Sequence, residues 1–209
     1  MKLANLLALL ISSILYATVK TEHSEKPQVQ ALMADWSPNG INSTEMTFYL
    51  AQIRSFIQGF QQGLYNNNSF KLSSACLQSS FVNPAIQVED AFSAGNTFKI
   101  LAVMSPMIQI AYNLQKSCNL NELIWMLLSV CEKGSCNSST VVSNATKNLF
   151  SFTGSFNNIA ESFTDSKKTS FTNLALISQQ YNDIGVEFGK MLKLLTSFNR
   201  DKAVARKFY

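Results

Sequence analysis

The chain has 209 residues, enough for one or two ordinary domains with a sizeable core. Apolar residues make up 46 %, which excludes disorder throughout, whereas charged residues make up only 14 %, against about 25 % in a typical soluble domain. The formal net charge is +4, but residues 18–199 carry 12 basic and 12 acidic side chains. Because no basic field covers the chain, we expect no nucleic acid partner.

The first 17 residues have the layout of a secretory signal peptide. A positive start at Met1-Lys2 is followed by the apolar stretch Leu3 to Tyr16, and cleavage is predicted after Ala17. The alternative is an uncleaved anchor, although the stretch is short for a span that needs about 20 residues. No later stretch has the length and apolarity of a membrane span. We therefore expect a secreted or lumenal protein without a membrane span after signal removal.

A polar leader is predicted at 18–41, and a helical domain at 42–199. The first helix, 43–66, begins at Asn42, which forms a candidate capping box with Glu45. Its apolar positions recur in steps of three and four, the period of one helix face: Met46, Leu50, Ile53, Ile57, Phe60 and Leu64. Asn83-Pro84 is predicted to start another helix, which reaches Gly95.

Residues 97–131 are apolar on nearly every side, and Lys116 to Asn119 interrupt them. A helix that is apolar all round is normally buried, so the pattern predicts a central, buried helical hairpin. Ser105-Pro106 is predicted to kink its first helix or to restart it.

Two further stripes follow, at 139–164 and 171–198, with a turn predicted at 165–168. Their apolar positions again fall in steps of three and four: Val142, Ala145, Leu149, Phe152, Phe156, Ile159 and Phe163, then Leu174, Ile177, Tyr181, Ile184, Phe188, Met191, Leu195 and Phe198. Strand signals are nearly missing. We therefore predict an all-α fold, a single-domain antiparallel bundle of about five to six helices around the hairpin.

The four cysteines all follow the predicted signal peptide, and an even number in an oxidising compartment predicts two disulfides. The tight loop from Cys131 to Cys136 favours that pair, which leaves Cys76 with Cys118. A zinc site is the rival interpretation, but zinc pairs sit two to four residues apart with a second pair nearby. We predict no metal and no cofactor.

Four Asn-x-Ser/Thr sequons are candidate N-glycosylation sites: Asn42, Asn67, Asn137 and Asn144. This number is what the Asn, Ser and Thr content alone produces. Asn67 and Asn137 fall in predicted loops, whereas Asn42 and Asn144 fall at or inside predicted helices.

Glycines occur four apart inside two predicted helices, as Gly59 and Gly63, and as Gly185 and Gly189. Each costs about 1 kcal/mol of helix stability relative to alanine, so the backbone must approach something closely there. Close helix packing is one interpretation. The other is the floor of a groove in which an apolar ligand replaces the missing side chains.

Few residues suit catalysis. The single histidine, His23, lies in the unpatterned leader, and the paired carboxylates, such as Asp183 with Glu187, have the pattern of a solvated helix face. We expect a non-catalytic protein with an interaction or structural role. The alternatives are a carrier of a lipid or other apolar ligand in a Phe-lined groove, and a membrane-perturbing protein. The basic tail, 200–209, is expected to be frayed and solvated, and the alternative is a contact with an acidic partner or membrane surface.

Overall fold

A computed structural model of the chain describes residues 41–95, 97–131, 136–164 and 173–200. The predicted signal peptide, most of the polar leader, His23, the turn at 165–168 and the tail beyond Arg200 lie outside these residues. The described chain is all-helical, as predicted. Its α-helices are α1 (Ser43–Tyr65), α2 (Val82–Ser93), α3 (Thr97–Ala102), α4 (Met104–Lys116), α5 (Leu120–Val130), α6 (Ser138–Lys147), α7 (Leu149–Thr164) and α8 (Leu174–Thr196), and a 3₁₀ turn at Ser79–Phe81 precedes α2.

Helix α1 begins with the predicted capping box. The Asn42 side chain accepts from the Glu45 N–H, and the Glu45 carboxylate accepts from the Asn42 N–H, both at 2.9 Å. The helix ends where Asn66 adopts the left-handed conformation, with φ 53°. Local side-chain chemistry therefore determines both ends of this 23-residue helix.

The described residues form eight α-helices, so the prediction of five to six was too low. The first arm of the predicted hairpin is split at Val103, which lets Pro106 lie in the first turn of α4, where a missing N–H is tolerated. The predicted helix 139–164 is split at Asn148, whose side chain donates to the Asn144 carbonyl at 2.8 Å. The apolar spacing of three to four residues continues across such a break, so the spacing alone does not show where one helix ends and the next begins.

The most extensive helix contact joins α1 to α8, and these two helices run parallel. Gly59 lies against Asn182 and Gly63 lies against Val186. Residue numbers therefore increase in the same direction along both helices. The antiparallel prediction is thus wrong for this pair. Short loops favour antiparallel neighbours, but more than one hundred residues separate α1 from α8, so the connection imposes no direction.

Helix α7 packs antiparallel to α8 through a face that contains several polar groups. Ser155 donates to Glu187 at 2.6 Å, and Gln180 donates to the Ser162 carbonyl at 2.6 Å. Ile159 is the one member of the predicted apolar stripe of α6 and α7 that is buried. The prediction that this stripe faces the core is therefore wrong for most of its residues.

The segment 97–131 is not a buried hairpin, which corrects the central element of the predicted architecture. Phe98 is 83 % exposed, and Trp125 is 62 % exposed. The most extensive helix contact is instead between α1 and α8, where glycine lets the two backbones approach. Helices α6 and α7 pack on α8 and helix α2 packs on α1, whereas α3 buries no residue and α4 buries only Asn113.

Two disulfides join Cys76 to Cys118 and Cys131 to Cys136, the pairs that the sequence favours. Cys76 and Cys118 are both fully buried, in a core cluster with Met46, Leu50 and Leu72 from α1 and the segment after it. This disulfide therefore fixes the start of α5 to the segment between α1 and α2.

Candidate functional site

An exposed apolar surface covers the outer side of α3, α4 and α5. We call it the α3–α5 surface, and its members are Phe98, Leu101, Met104, Ile108, Tyr112, Ile124, Trp125 and Leu128. Their exposed fractions range from 36 % to 83 %. Met104, Ile108 and Tyr112 are spaced four residues apart on α4, so they form a single stripe.

The opposite face of α5 is firmly anchored. Leu123, Met126 and Val130 are buried against the C-terminal end of α1 and Phe198. Ahead of the helix, the buried Gln61 side chain donates to the Cys118 carbonyl at 3.0 Å. Because Leu123, Met126 and Val130 pack against the rest of the fold, the Trp125 side of α5 faces solvent.

Charges on these three helices are few. The basic residues are Lys99 and Lys116, and the one acidic residue is Glu122. Lys116 lies over the Tyr112 ring, 5.5 Å from its centroid. The α3–α5 surface is therefore mostly apolar and aromatic, with a nearly balanced charge.

A second exposed apolar set lies on α6 and α7. Its members are Val142, Leu149, Phe150, Phe156 and Phe163. Phe150, the most exposed of the chain's described large apolar residues, is 93 % exposed. The four members on α7 lie away from Ser155 and Ser162, which make the contacts of that helix with α8.

The four glycines predicted to mark a close approach all lie in the α1–α8 contact. A Cβ on Gly63 would lie 2.8 Å from the Val186 carbonyl carbon and closer still to its oxygen. A Cβ on Gly185 would meet the Phe56 carbonyl in the same way. Backbone therefore fills the space that the groove interpretation assigns to a ligand.

The four sequons occupy different surroundings. Asn42 is the exposed N-cap of α1, and the Asn67 side chain accepts from the Ser69 N–H at 3.1 Å. Asn137 is the exposed N-cap of α6 and makes no capping hydrogen bond with its side chain. Asn144 differs, because its Nδ2 donates to the Leu195 carbonyl at 2.9 Å and to the Ser197 hydroxyl at 3.2 Å.

Asn144 is therefore expected to act as a structural residue that ties α6 to the end of α8. Replacing Asn144 with alanine should lower the free energy of unfolding by about 1–2 kcal/mol, because two acceptors lose their donor. Thr146→Val destroys the same sequon but keeps both contacts, so it should be nearly neutral. Urea unfolding of the two variants measures the difference, and equal stabilities would contradict the structural role.

Glu187 is the buried carboxylate of the α7–α8 contact. It accepts from Ser155 at 2.6 Å and from Lys190 at 2.7 Å. Burial alone would raise the pKa of this carboxyl, but the hydrogen bonds from Lys190 and Ser155 and the Lys190 charge together lower it below its ordinary value. The charged form of Glu187 therefore stabilises the docking of α7.

The stability of the fold should depend on pH through Glu187. Because the folded-state pKa is lowered, the contribution is complete above the unfolded-state pKa and is lost as the pH falls through the folded-state pKa. Glu187→Gln removes it, so wild type and variant should differ most near neutral pH and converge as the pH falls below the lowered pKa of Glu187. Urea unfolding across this range checks the prediction, and parallel pH profiles would contradict it.

Among the described residues, no group of three or more His, Cys, Asp or Glu side chains is arranged to hold a metal ion. Within the same residues, no helix has the length and apolarity needed to cross a membrane. The chain matches no protein-family model, no curated protein and no solved structure. Functional inference therefore rests on the surfaces and clefts of this chain itself.

The sequence contains a signal for the α3–α5 surface that also fits a buried hairpin. Residues 97–131 are apolar on more faces than one core contact can cover. That pattern fits a fully buried helix, but it equally fits a helix that packs with one side and presents the other to solvent.

Proposed function

We propose that this is a non-catalytic interaction protein that binds a partner protein through the α3–α5 surface. The observation that carries the proposal is the exposure of eight large apolar side chains on three consecutive helices. Single apolar residues are normal on a surface, but this number on three helices that contact one another in sequence is typical of a binding site. Phe, Tyr, Trp and Met, which are enriched in protein–protein contacts, supply half of its members.

The charge around this surface favours a protein partner over a membrane. Helices that lie on membranes are rich in Lys and Arg on their polar face, which pairs with anionic lipid. Here α4 carries Lys116 alone, and Glu122 on α5 offsets part of the basic charge. The exposed apolar side chains are compatible with the membrane-perturbing alternative, but these helices lack the Lys- and Arg-rich polar face of membrane-bound helices.

The proposal includes the setting in which the protein acts. We propose that the chain is secreted after loss of residues 1–17, and that residues 42–199 form one helical domain. The two disulfides are compatible with an oxidising compartment. The mass of the chain recovered from the medium of a secreting cell tests this part, since it reports cleavage after Ala17 directly.

Site-specific photocrosslinking tests the binding surface. A photoreactive phenylalanine analogue placed at Phe98 or Trp125 should give a discrete protein adduct when the full chain is expressed in its own host. The matched control places the same analogue at Gln87, an exposed polar position on α2, where no adduct is expected.

Each result then decides between the alternatives. A protein adduct that Ile108→Glu abolishes without changing the helical circular dichroism supports the proposal. Lipid adducts in place of protein would favour the membrane alternative. Equal crosslinking from Gln87 and Phe98 would overturn the assignment of the surface.

A further inference from the structure

A cleft of about 370 Å³ lies between α1, the segment that leads into α2, and the start of α8. Its volume is near the lower end of the range of small-molecule sites. None of the α3–α5 surface residues lines it, so it is independent of the proposed function. Its lining residues include apolar, hydroxyl and amide side chains and one cation, and none of them is acidic.

The cation is Arg54, which extends from the middle of α1 and is partly buried. Within the described residues, its one hydrogen bond goes from Nη2 to the Ser73 carbonyl, at 3.4 Å, near the upper limit for such a bond. A guanidinium has five N–H donors and matches the geometry of a carboxylate. Arg54 therefore retains most of its donor capacity for a ligand.

A second donor lies one helical turn further on. The Gln58 side-chain oxygen accepts from the Leu72 N–H at 3.3 Å, which fixes the amide group in place. The nitrogen of the same amide makes no protein hydrogen bond in the described chain. Positions 54 and 58 share one face of α1, so both donors border the same cleft.

The remaining walls are largely apolar. Leu50 and Leu77 contribute from the disulfide-linked core, and Val82 and Leu174 contribute from the first turns of α2 and α8. A ligand with an anionic head and an aliphatic body would place its charge on Arg54 and its chain on these side chains.

We propose that this cleft binds a small aliphatic monocarboxylate, with Arg54 as the carboxylate-binding residue and Gln58 as its second donor. The ligand class follows from three features: a cation that forms no ion pair with the described residues, the lack of acidic side chains among the lining residues, and the apolar walls. This site differs from the predicted Phe-lined groove, because no phenylalanine lines it.

Isothermal titration of the full, disulfide-bonded chain with octanoate tests the proposal. Octan-1-ol and octylammonium are matched probes with the same chain but a neutral or positive head. We expect octanoate to bind about tenfold more tightly than octanol, and octylammonium to bind more weakly than either. This comparison needs no variant, so it stands even if a substitution disturbs folding.

Variants then locate the site. Arg54→Gln should reduce octanoate affinity about tenfold, to the level of octanol, whereas Lys99→Gln, which removes an exposed lysine of α3, should leave it unchanged. Ser178→Leu should block the binding of octanoate and of octanol, because the larger side chain fills the cleft. The proposal is overturned if octanoate gives no binding at millimolar concentration, if the three head groups bind equally, or if Arg54→Gln has no effect.

Discussion

Replacing Gly63 with alanine is expected to destabilise the protein by about 3 kcal/mol, a large part of the stability of a domain of this size. The added Cβ would meet the Val186 carbonyl group, which belongs to the backbone of α8 and is held in that helix. The two helices would have to separate, and every contact along the α1–α8 pair would loosen. This loss exceeds the gain of about 1 kcal/mol in helix propensity that alanine brings.

Gly154 is the matched control for this prediction. It lies inside α7, and a Cβ there would meet no atom within 4 Å. Gly154→Ala should therefore stabilise the protein by about 0.5–1 kcal/mol, since only backbone entropy changes. Urea unfolding of both variants, followed by circular dichroism, measures the contrast. If Gly63→Ala were as stable as Gly154→Ala, the close packing of α1 on α8 would be refuted.

Removal of the Cys76–Cys118 disulfide should have an effect of similar size. The bond closes a loop with a sequence separation of 42, for which the chain-entropy model gives about 4 kcal/mol. Both cysteines are fully buried, so replacing them with alanine also leaves unfilled space in the core around Leu50. We expect the variant without this bond to unfold at a much lower urea concentration than wild type.

The second disulfide serves as the comparison. Cys131 and Cys136 are only 5 apart in sequence, so the same model gives about 2 kcal/mol, and neither residue is fully buried. The paired alanine variants should therefore differ in unfolding midpoint, with the Cys76–Cys118 pair more damaging. The reverse order would show that the region around Cys118 contributes less to the core than its burial indicates.

The candidate sites were only partly predictable. The sequence shows the residues of the α3–α5 surface as strongly apolar and predicts a core position for them. Apolarity gives the tendency of a side chain to leave water, but it does not show whether another helix is available to cover that side chain. Arg54 carries no signal of a site in the sequence, since a lone arginine in a helical stripe has no sequence signature. Its significance depends on Leu77 and Leu174, which only folding brings to the same cleft.

The glycine pairs show where sequence reasoning ends. Their four-residue spacing indicated a close approach, which the structure places between α1 and α8. The spacing carries no information on direction, because glycines four apart offer the same smooth face to a parallel or an antiparallel neighbour. The antiparallel prediction relied on short connections, and these two helices are not joined by one.

By itself, the sequence determined the all-α class and the capping box that starts α1, and it favoured the observed pairing of the four cysteines over the two other pairings. These features depend on interactions within a few residues, or on how a small set of cysteines can combine. Tertiary structure alone decided that α1 and α8 are parallel, that 97–131 presents its apolar side to solvent, and that Arg54 borders a cleft without acidic groups. Such features depend on which helix faces become buried, because the faces of all the helices compete for a limited buried surface. The outcome of that competition depends on the whole chain.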